Sequence, residues 1–160
     1  MSANIGKLFE AQFKKDWLDS MGETTCDRIY DVTSGRSRIS NICDFICYKY
    51  PRIYFMECKE VAKGNTFSLA RLTQYDKLVT KNHLKGVVSG VVIWFREKQK
   101  VVFVPISTFI KLKIDGAKSY NVKYLDTNEY YAIDVPSVLK RTFVTSDYSV
   151  LLDYDELGEH

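Results

Sequence analysis

Two neighbouring segments decide the fold and carry most of the chemistry of this sequence. They are Asn41-Ile42-Cys43-Asp44-Phe45-Ile46-Cys47-Tyr48 and Ile53-Tyr54-Phe55-Met56-Glu57-Cys58-Lys59-Glu60. Both are largely apolar, and Tyr50-Pro51 separates them, as in a β-hairpin. Because side chains alternate along a strand, Glu57 and Lys59 lie on the same face as the apolar Phe55. Charges on such a face cost several kcal/mol each unless a partner, a metal ion or a cleft receives them.

A hairpin centred on Tyr50-Pro51 pairs residues whose numbers add up to 101, which places Asp44 opposite Glu57. The Cβ atoms of such cross-strand neighbours lie about 4.5–5.5 Å apart. Two carboxylates at that distance repel unless a proton or a cation lies between them, and Mg²⁺ takes carboxylate oxygens together with water and substrate phosphate. Lys59 would then orient or deprotonate a metal-bound water, or balance charge on phosphorus. The alternative interpretation is a surface hairpin with an Asp and an ordinary Glu-x-Lys ion pair.

Composition indicates a globular chain with a basic body. The 160 residues are 46% hydrophobic and 14% aromatic, which excludes disordered and low-complexity chains. We predict one domain over 1–160, with a core over about 4–110 and a C-terminal extension over about 117–160. All 23 basic residues and 15 of the 20 acidic residues precede position 144. This balance favours a polyanionic partner, with ordinary solubility as the alternative.

Several function classes are disfavoured by what the sequence lacks. No stretch is apolar enough to span a membrane and the N-terminus has no signal-peptide pattern, so we expect a cytoplasmic protein without a membrane partner. No glycine loop that cradles phosphate occurs, and we expect no small organic cofactor. Cys26, Cys43, Cys47 and Cys58 lack the spacing of a zinc site. We expect them to be reduced thiols in the core.

Hydrophobic periodicity predicts the elements around the hairpin. Apolar residues recur every four positions over 4–20, which predicts a helix capped by Ser2 or Asn4, with Glu10 at the border of its buried face. The other predicted elements are a strand over 28–32, a polar loop over 33–41, strands over 42–48 and 52–61, a helix from 66–68 to about 82, strands over 87–95 and 101–104, a short helix over 105–110, strands over 120–125 and 130–135, and a helical turn over 137–141. Together they predict an α/β fold with a mixed central sheet flanked by helices.

The order of these motifs resembles the PD-(D/E)XK nuclease superfamily. Its signature is matched by Asp44 followed by Glu57-x-Lys59 at the end of an apolar strand, with Cys43 where the superfamily name has Pro. Within the superfamily, the sequence resembles the RecU-type Holliday junction resolvases of Gram-positive bacteria and their phages. The matching blocks are Gly6-Lys7-Leu8-Phe9-Glu10, Asp44, Glu57-Cys58-Lys59-Glu60, Phe67-Ser68-Leu69 and Thr73-Gln74-Tyr75.

The resemblance implies a restriction-endonuclease-like fold and a homodimeric, Mg²⁺-dependent endonuclease, with Mn²⁺ as a second usable ion. Such an enzyme nicks four-way DNA junctions symmetrically, in a bacterial cytoplasm or a phage-infected host. By the same resemblance, Asp44, Glu57 and the backbone carbonyl of Cys58 hold the metal. Glu10 is the helix acid that approaches the metal, and Lys59 is the catalytic lysine.

Further residues are predicted to contact the lysine or the DNA. Gln74, the helix glutamine of the family, would steady the lysine or a phosphate. The candidate phosphate contacts are Arg36 and Arg38 in the polar loop, Lys63 after the second hairpin strand, and Arg71. RecU-type enzymes carry a long stalk between their first two strands, whereas only 33–41 is available here. Archaeal Hjc resolvases share the core with a shorter loop.

Two other functions stay open from the sequence. One is a nuclease of the same superfamily that acts on linear duplex or other DNA structures, as in restriction or repair. The other is a DNA-binding protein with little cleavage activity. The first shares every catalytic residue with a resolvase, and the second is disfavoured by the intact Asp44, Glu57 and Lys59.

Overall fold

The computed structural model of the protein describes residues 4–30, 32–34, 37–39 and 41–154, with side chains described outside 31–40. Ser2, Arg36, the side chain of Arg38 and the acidic residues after 154 therefore lie outside the described residues. In chain order, the elements are α1 (Ile5–Met21), β1 (Thr25–Arg28), β2 (Val32–Ser34), β3 (Ser37–Ile39), β4 (Phe45–Lys49), β5 (Arg52–Val61), β6 (Thr66–Ser68), a 3₁₀ helix (Leu69–Arg71), α2 (Tyr75–Val79), β7 (Val87–Phe95), β8 (Lys100–Pro105), α3 (Ile106–Ile114), β9 (Ser119–Asn121), α4 (Tyr124–Thr127), β10 (Ile133–Val135), β11 (Ser137–Leu139), β12 (Val144–Ser146) and a second 3₁₀ helix (Tyr148–Asp153).

Six strands form one mixed sheet in the order β1-β4-β5-β7-β8-β10. The central pair, β5 and β7, runs parallel, and the other neighbouring strands are antiparallel. The nearly continuous apolar sequence of β7 suits a strand covered on both faces, and eight of its nine residues are buried. The predicted mixed sheet flanked by helices is confirmed.

Helices cover both faces of this sheet. On one face α1 packs through Phe9, Phe13 and Trp17 against alternate residues of β5, among them Tyr54 and Met56. The C-terminal segment joins the same cluster, which includes the buried side chains of Val144, Tyr148 and Leu151. The opposite face packs against β6, α2 and α3 in a second cluster, which includes Val61, Phe67, Leu78 and Phe109. Because side chains alternate along β5, Glu57 and Lys59 lie on the face of this second cluster.

The hairpin and its flanking helix follow the sequence predictions closely. The side chain of Asn4 caps α1 by accepting a hydrogen bond from the N–H of Lys7 at 3.2 Å, and Gly22 follows the end of the helix. The strand β5 occupies the predicted 52–61, and β7 occupies the predicted 87–95. All described helices are too short or too polar to cross a membrane.

The region around 28–41 differs from its prediction. The strand expected over 28–32 lies earlier, as β1 at Thr25–Arg28, and a separate strand β2 begins at Val32. The stretch expected to be a polar loop contains β2 and β3, which pair in a small antiparallel hairpin. The earlier position of β1 follows from its pairing with β4, in which the buried Cys26 lies opposite Cys47.

The continuous helix predicted from 66–68 to about 82 is wrong. Residues Thr66–Ser68 form β6, which pairs with β9, a partner about 50 residues away in the sequence. The Ser68 hydroxyl then accepts a hydrogen bond from the N–H of Ala70 at 3.3 Å and begins a 3₁₀ helix. Only the five residues of α2 are α-helical. The long-range strand pairing overrides the local helical pattern.

Two predictions near the C-terminus are also wrong. The helical turn expected over 137–141 is the strand β11, which pairs with β12. The strand expected over 120–125 is divided between the short β9 and the helix α4. In both stretches the secondary structure depends on a partner strand that the local sequence does not identify.

Asp16 ties the C-terminal hairpin to α1. This residue is 4% exposed. Its Oδ1 accepts hydrogen bonds from Gln12 Nε2 at 2.8 Å and Thr145 Oγ1 at 2.9 Å, and its Oδ2 accepts one from the N–H of Ser146 at 2.9 Å. A buried carboxylate with three donors holds the β11–β12 hairpin against the helix that carries Glu10.

We predict that Asp16→Ala lowers the free energy of unfolding by about 2–3 kcal/mol, because it leaves buried donors without an acceptor. The control is Asp19→Ala on the same helix. Asp19 pairs with Lys15 at 3.1 Å, with both side chains more than 65% exposed, and we expect the loss of its carboxylate to cost about 0.5 kcal/mol or less. Urea unfolding followed by tryptophan fluorescence measures both. Equal effects of the two substitutions would contradict the stabilising role that we assign to the Asp16 hydrogen bonds.

Candidate active site

Asp44 lies where the ladder between β4 and β5 opens. The ladder pairs 45–49 with 56–52, so the residue numbers add up to 101 as predicted. Asp44 comes one residue before this ladder begins. Its carbonyl oxygen accepts a hydrogen bond from the N–H of Ile29 at 2.8 Å, and its Oδ2 accepts one from the N–H of Cys58 at 2.9 Å. The segments on both sides therefore hold Asp44 in place.

Glu57 is the most buried carboxylate of the site. Its side chain is 3% exposed, and its Oε1 lies 3.4 Å from Nζ of Lys59. Its Oε2 is buried and has no hydrogen-bond partner among the residues that the structure describes. Burial, followed by the negative charge of Asp44, raises the pKa of Glu57 to about 8, against the lowering effect of Lys59. Without a cation, the Glu57 carboxyl therefore retains a proton near neutral pH.

These oxygen atoms fit a divalent cation. The unpartnered Oε2 of Glu57 lies in a buried position next to a second carboxylate, and positive charge there would relieve their repulsion. The N–H and C=O groups of one residue in an antiparallel strand point to the same side, so the carbonyl of Cys58 points toward β4 and Asp44. Carboxylate and carbonyl oxygens are the ligands that hard cations prefer.

Two carboxylates, those of Asp44 and Glu57, come together as candidate donors for such a cation, and a contribution of Glu10 stays a prediction. Over 4–154, in the parts that the structure describes, no three His, Cys, Asp or Glu side chains are grouped as metal ligands. The candidate ligands are therefore Asp44, Glu57 and the backbone carbonyl of Cys58. A site with few protein ligands is typical of Mg²⁺, which retains several waters and takes substrate phosphate oxygens as well.

Glu10 approaches the site from α1 and pairs with Arg28. The Glu10 carboxylate and the Arg28 guanidinium form a short, half-buried ion pair. Burial and then the charge of Asp44 raise the pKa of Glu10, while Arg28 opposes this shift. Glu10 is thus within electrostatic reach of Asp44, and one of its oxygens is engaged by Arg28. Its role as a metal ligand stays a prediction.

The other predicted residues surround the end of β5. Gln74 directly precedes α2, and its amide oxygen accepts a hydrogen bond from the Thr73 hydroxyl at 3.0 Å. The Arg71 guanidinium donates a hydrogen bond to the carbonyl of Glu60 at 3.0 Å, so the Arg71 side chain is attached to the backbone near the end of β5. Lys63 is exposed in the loop that follows β5. Their contacts with DNA stay predictions.

A groove beside the ion pair contains basic residues that the sequence analysis did not single out. Its volume is about 410 Å³, and Lys7, Glu10, Lys14, Arg28 and Tyr30 line it. The three helical residues recur at spacings of three and four, so they share one face of α1. That spacing is readable in the sequence, but only the structure shows that this face borders Arg28.

A second groove of about 410 Å³ lies beyond the turn between β7 and β8. Lys98, Lys100 and Lys123 line it together with Asp126 and Asp134. Lys100 Nζ lies 2.7 Å from Asp134 Oδ2, so part of the positive charge of this second groove is already paired. Among the predicted site residues whose side chains are described, none lines this second groove.

The four cysteines belong to the interior of the protein. All four are buried and free. Burial raises the pKa of the Cys43 thiol to about 12, and it raises the pKa of the Cys58 thiol well above its usual value. Thiols in such surroundings remain protonated, which makes them poor nucleophiles and poor ligands. The expected burial of the four cysteines in the core is confirmed, and their reduced state stays a prediction.

In comparisons with known proteins, the chain matches solved structures. Neither the models of known protein families nor the curated proteins include a match. Among solved structures, the chain is similar to Archaeoglobus fulgidus Hjc, a Holliday junction resolvase from an archaeal hyperthermophile. The two chains are 15% identical, the match covers 64% of this chain and 78% of that chain, and the TM-score is 0.49. A likeness of this degree leaves the function to be inferred from the site itself.

We predict that the stability of the cation-free protein falls as pH rises from about 5 to about 8. The folded state retains the proton of Glu57 up to a pKa of about 8, whereas the unfolded carboxyl loses it near the ordinary 4.5. Folding therefore takes up a proton between these values, and stability decreases with rising pH in that window. Urea unfolding in EDTA at a series of pH values measures the slope.

Glu57→Gln should reduce this pH slope, and Glu60→Gln, on the opposite face of the same strand, should preserve it. A divalent cation should stabilise the wild type most at the upper end of the window, where Glu57 is ionised. A Glu57→Gln variant with the full wild-type slope would contradict the assignment.

Proposed function

We propose that this protein is a divalent-cation-dependent endonuclease that hydrolyses phosphodiester bonds in DNA, with Mg²⁺ as its ion and Mn²⁺ as an alternative. The observation that carries the proposal is the buried, unpartnered oxygen of Glu57, with Asp44 on one side and Lys59 on the other. An ordinary surface ion pair would be solvated instead. Burying these charged groups destabilises the folded state, and a bound cation and phosphate would compensate their charges.

Three oxygen donors would hold the ion, namely the carboxylates of Asp44 and Glu57 and the carbonyl of Cys58. When bound, Mg²⁺ supplies positive charge to the phosphate and lowers the pKa of coordinated water. The N–H of Cys58 orients Asp44 by occupying its Oδ2, which leaves the other oxygen of that carboxylate for the ion. Sheet backbone thus fixes two of the three donors.

Lys59 is the residue that we assign to charge stabilisation during the reaction. Its Nζ lies beside Glu57, and its side chain is 21% exposed, so the ammonium group can reach a bound phosphate. Negative charge grows on the phosphate oxygens as the water oxygen bonds to phosphorus and the bond to the 3′ oxygen breaks. The products are a 5′-phosphate and a 3′-hydroxyl, the latter after the leaving oxygen takes up a proton.

Glu10 and Gln74 complete the proposed machinery from the flanking helices. Glu10 lies where its charge affects Asp44, and the ion pair with Arg28 positions it. We assign Gln74 to steadying Lys59 or a phosphate. Arg71, which donates a hydrogen bond to the carbonyl of Glu60 near the end of β5, is a proposed phosphate contact.

Branched, four-way DNA is the proposed substrate, and the proposed working form is a homodimer. Both rest on the RecU-like order of motifs noted in the sequence. Two strands of a junction must be cut with two-fold symmetry, which a symmetric dimer of a single-site enzyme provides. The same catalytic residues would also serve a nuclease of linear duplex, so substrate choice is tested separately from chemistry.

We expect Asp44→Asn, Glu57→Gln and Lys59→Ala each to lower the rate of Mg²⁺-dependent DNA cleavage by roughly 100-fold or more, since each removes a charge from the reacting centre. Labelled DNA resolved on denaturing gels measures the rates. Glu60→Gln is the matched control on the same strand and should cleave like the wild type. Cleavage that survives all three substitutions would refute the site, and cleavage in EDTA would refute the cation dependence.

For substrate choice, we expect the protein with Mg²⁺ to nick two opposed strands of a four-way junction and to leave a linear duplex of the same sequence intact. A mixture of wild type and Lys59→Ala should give junctions nicked in one strand, because each subunit of a dimer cuts one strand. Equal cleavage of junction and duplex would favour the linear-duplex nuclease. Tight DNA binding without any cleavage would favour a DNA-binding protein.

A further inference from the structure

The groove between α1 and β1 has a chemistry that the proposed cleavage reaction does not use. Tyr30 stands at its rim with 75% of its surface exposed. The Arg28 guanidinium lies 5.7 Å from the centre of the Tyr30 ring and 5.2 Å from the centre of the Phe45 ring. A cation over an aromatic ring is attracted to it, so Arg28 restrains the Tyr30 side chain while most of the ring stays open to solvent.

A restrained and exposed aromatic ring is a platform for a planar ligand. Bases stack on such rings whatever their identity, because every base has a π-face. A base within a continuous duplex is already covered by its neighbours above and below. Only an unstacked base, at a branch, a bulge or a single-stranded end, can offer its face to Tyr30.

Two lysines supply charge for the backbone of the same nucleotide. Lys7 and Lys14 are exposed on the groove side of α1, two helical turns apart, or about 10 Å along the axis. They stand on either side of Glu10, whose own charge is engaged by Arg28. The groove therefore presents positive charge along its wall and an aromatic face at its rim, and its volume of about 410 Å³ is in the range of small-ligand sites.

We propose that this groove binds one unpaired nucleotide of the DNA, with the base stacked on Tyr30 and the flanking phosphates near Lys7 and Lys14. The inference rests on the proposed function and names the feature of the substrate that the site recognises. The groove shares Glu10 with the candidate active site, so an unpaired nucleotide bound there lies next to the strand to be cut. A fully paired duplex can contact the lysines but not the ring.

The test measures binding in EDTA, so that it does not depend on cleavage. Two labelled DNAs of the same sequence are compared, a continuous duplex and the same duplex with one unpaired 2-aminopurine. We expect the wild type to bind the second DNA more tightly and to quench its 2-aminopurine emission. Tyr30→Ala should lower the affinity for the unpaired DNA roughly tenfold, because one stacking contact is lost. The same substitution should leave the affinity for the duplex unchanged.

Matched variants separate stacking from other effects. Tyr30→Phe retains the ring and should behave as the wild type. Tyr50→Ala removes an equally exposed tyrosine, 79% accessible, at the hairpin turn, and should keep the preference for unpaired DNA. Lys7→Ala and Lys14→Ala should each weaken binding of both DNAs. Each should also reduce the slope of log K against log salt concentration by about one, since one phosphate contact is lost. Because Tyr30 is exposed, circular dichroism should show Tyr30→Ala folded as the wild type.

The outcomes distinguish this inference from the proposed function. If Tyr30→Ala keeps the full preference for unpaired DNA, or if the 2-aminopurine emission does not change on binding, the inference is wrong even where cleavage depends on Asp44 and Lys59. If the nucleotide stacks as expected but no DNA is cleaved with Mg²⁺, the inferred nucleotide binding is supported and the nuclease assignment is wrong. A wild type that binds neither DNA would overturn both.

Discussion

The register between β4 and β5 is the constraint on which the site depends. It pairs Phe45 with Met56 and so delivers Asp44 to the level of Glu57. A shift of one residue would turn every side chain of β5 to the other face and place Met56 or Cys58, rather than Glu57, opposite Asp44. The apolar alternation of Tyr54, Met56 and Cys58 under α1 prevents this shift, because it would bring charged side chains into the first core cluster.

The same register explains how the fold tolerates two neighbouring carboxylates. Each buried carboxylate costs several kcal/mol unless it is compensated. Asp44 receives the N–H of Cys58, and Glu57 has Lys59 within 3.4 Å and a raised pKa that allows it to stay neutral. The compensation is incomplete, since one oxygen of Glu57 has no partner among the described residues. Burial of the surrounding sheet, including eight of the nine residues of β7, offsets the cost of this incomplete pairing.

The parts of the structure that were predictable from the sequence are those specified by local pattern. The helix α1 follows from its four-residue spacing and the Asn4 cap, and the hairpin register follows from the turn at Tyr50-Pro51. The stretch after Lys63 was not predictable, because β6 pairs with β9 far along the chain. For the site, the closeness of Asp44 to Glu57 was readable from residue numbers, because the ladder that begins at Phe45 and Met56 continues in their direction. The engagement of Glu10 by Arg28 was not, since it depends on how α1 lies over β1.

A difference in strand length explains why charges from both faces of the sheet meet at this point. The strand β4 has five residues and β5 has ten, so β5 continues past the end of its neighbour. Asp44 bridges the resulting gap, with its carbonyl bonded to the segment after β1 and its carboxylate bonded to β5.

Through this gap, the α1 side and the opposite side of the sheet are in electrostatic contact. Asp44 raises the pKa of both Glu10 and Glu57, and Lys59 lowers the pKa of both. If β4 began several residues earlier, its backbone would pair with the end of β5 and separate the two sets of charges. The short strand therefore leaves backbone groups of β5 open for Asp44. In the proposed function, the same gap would admit a cation and a phosphate.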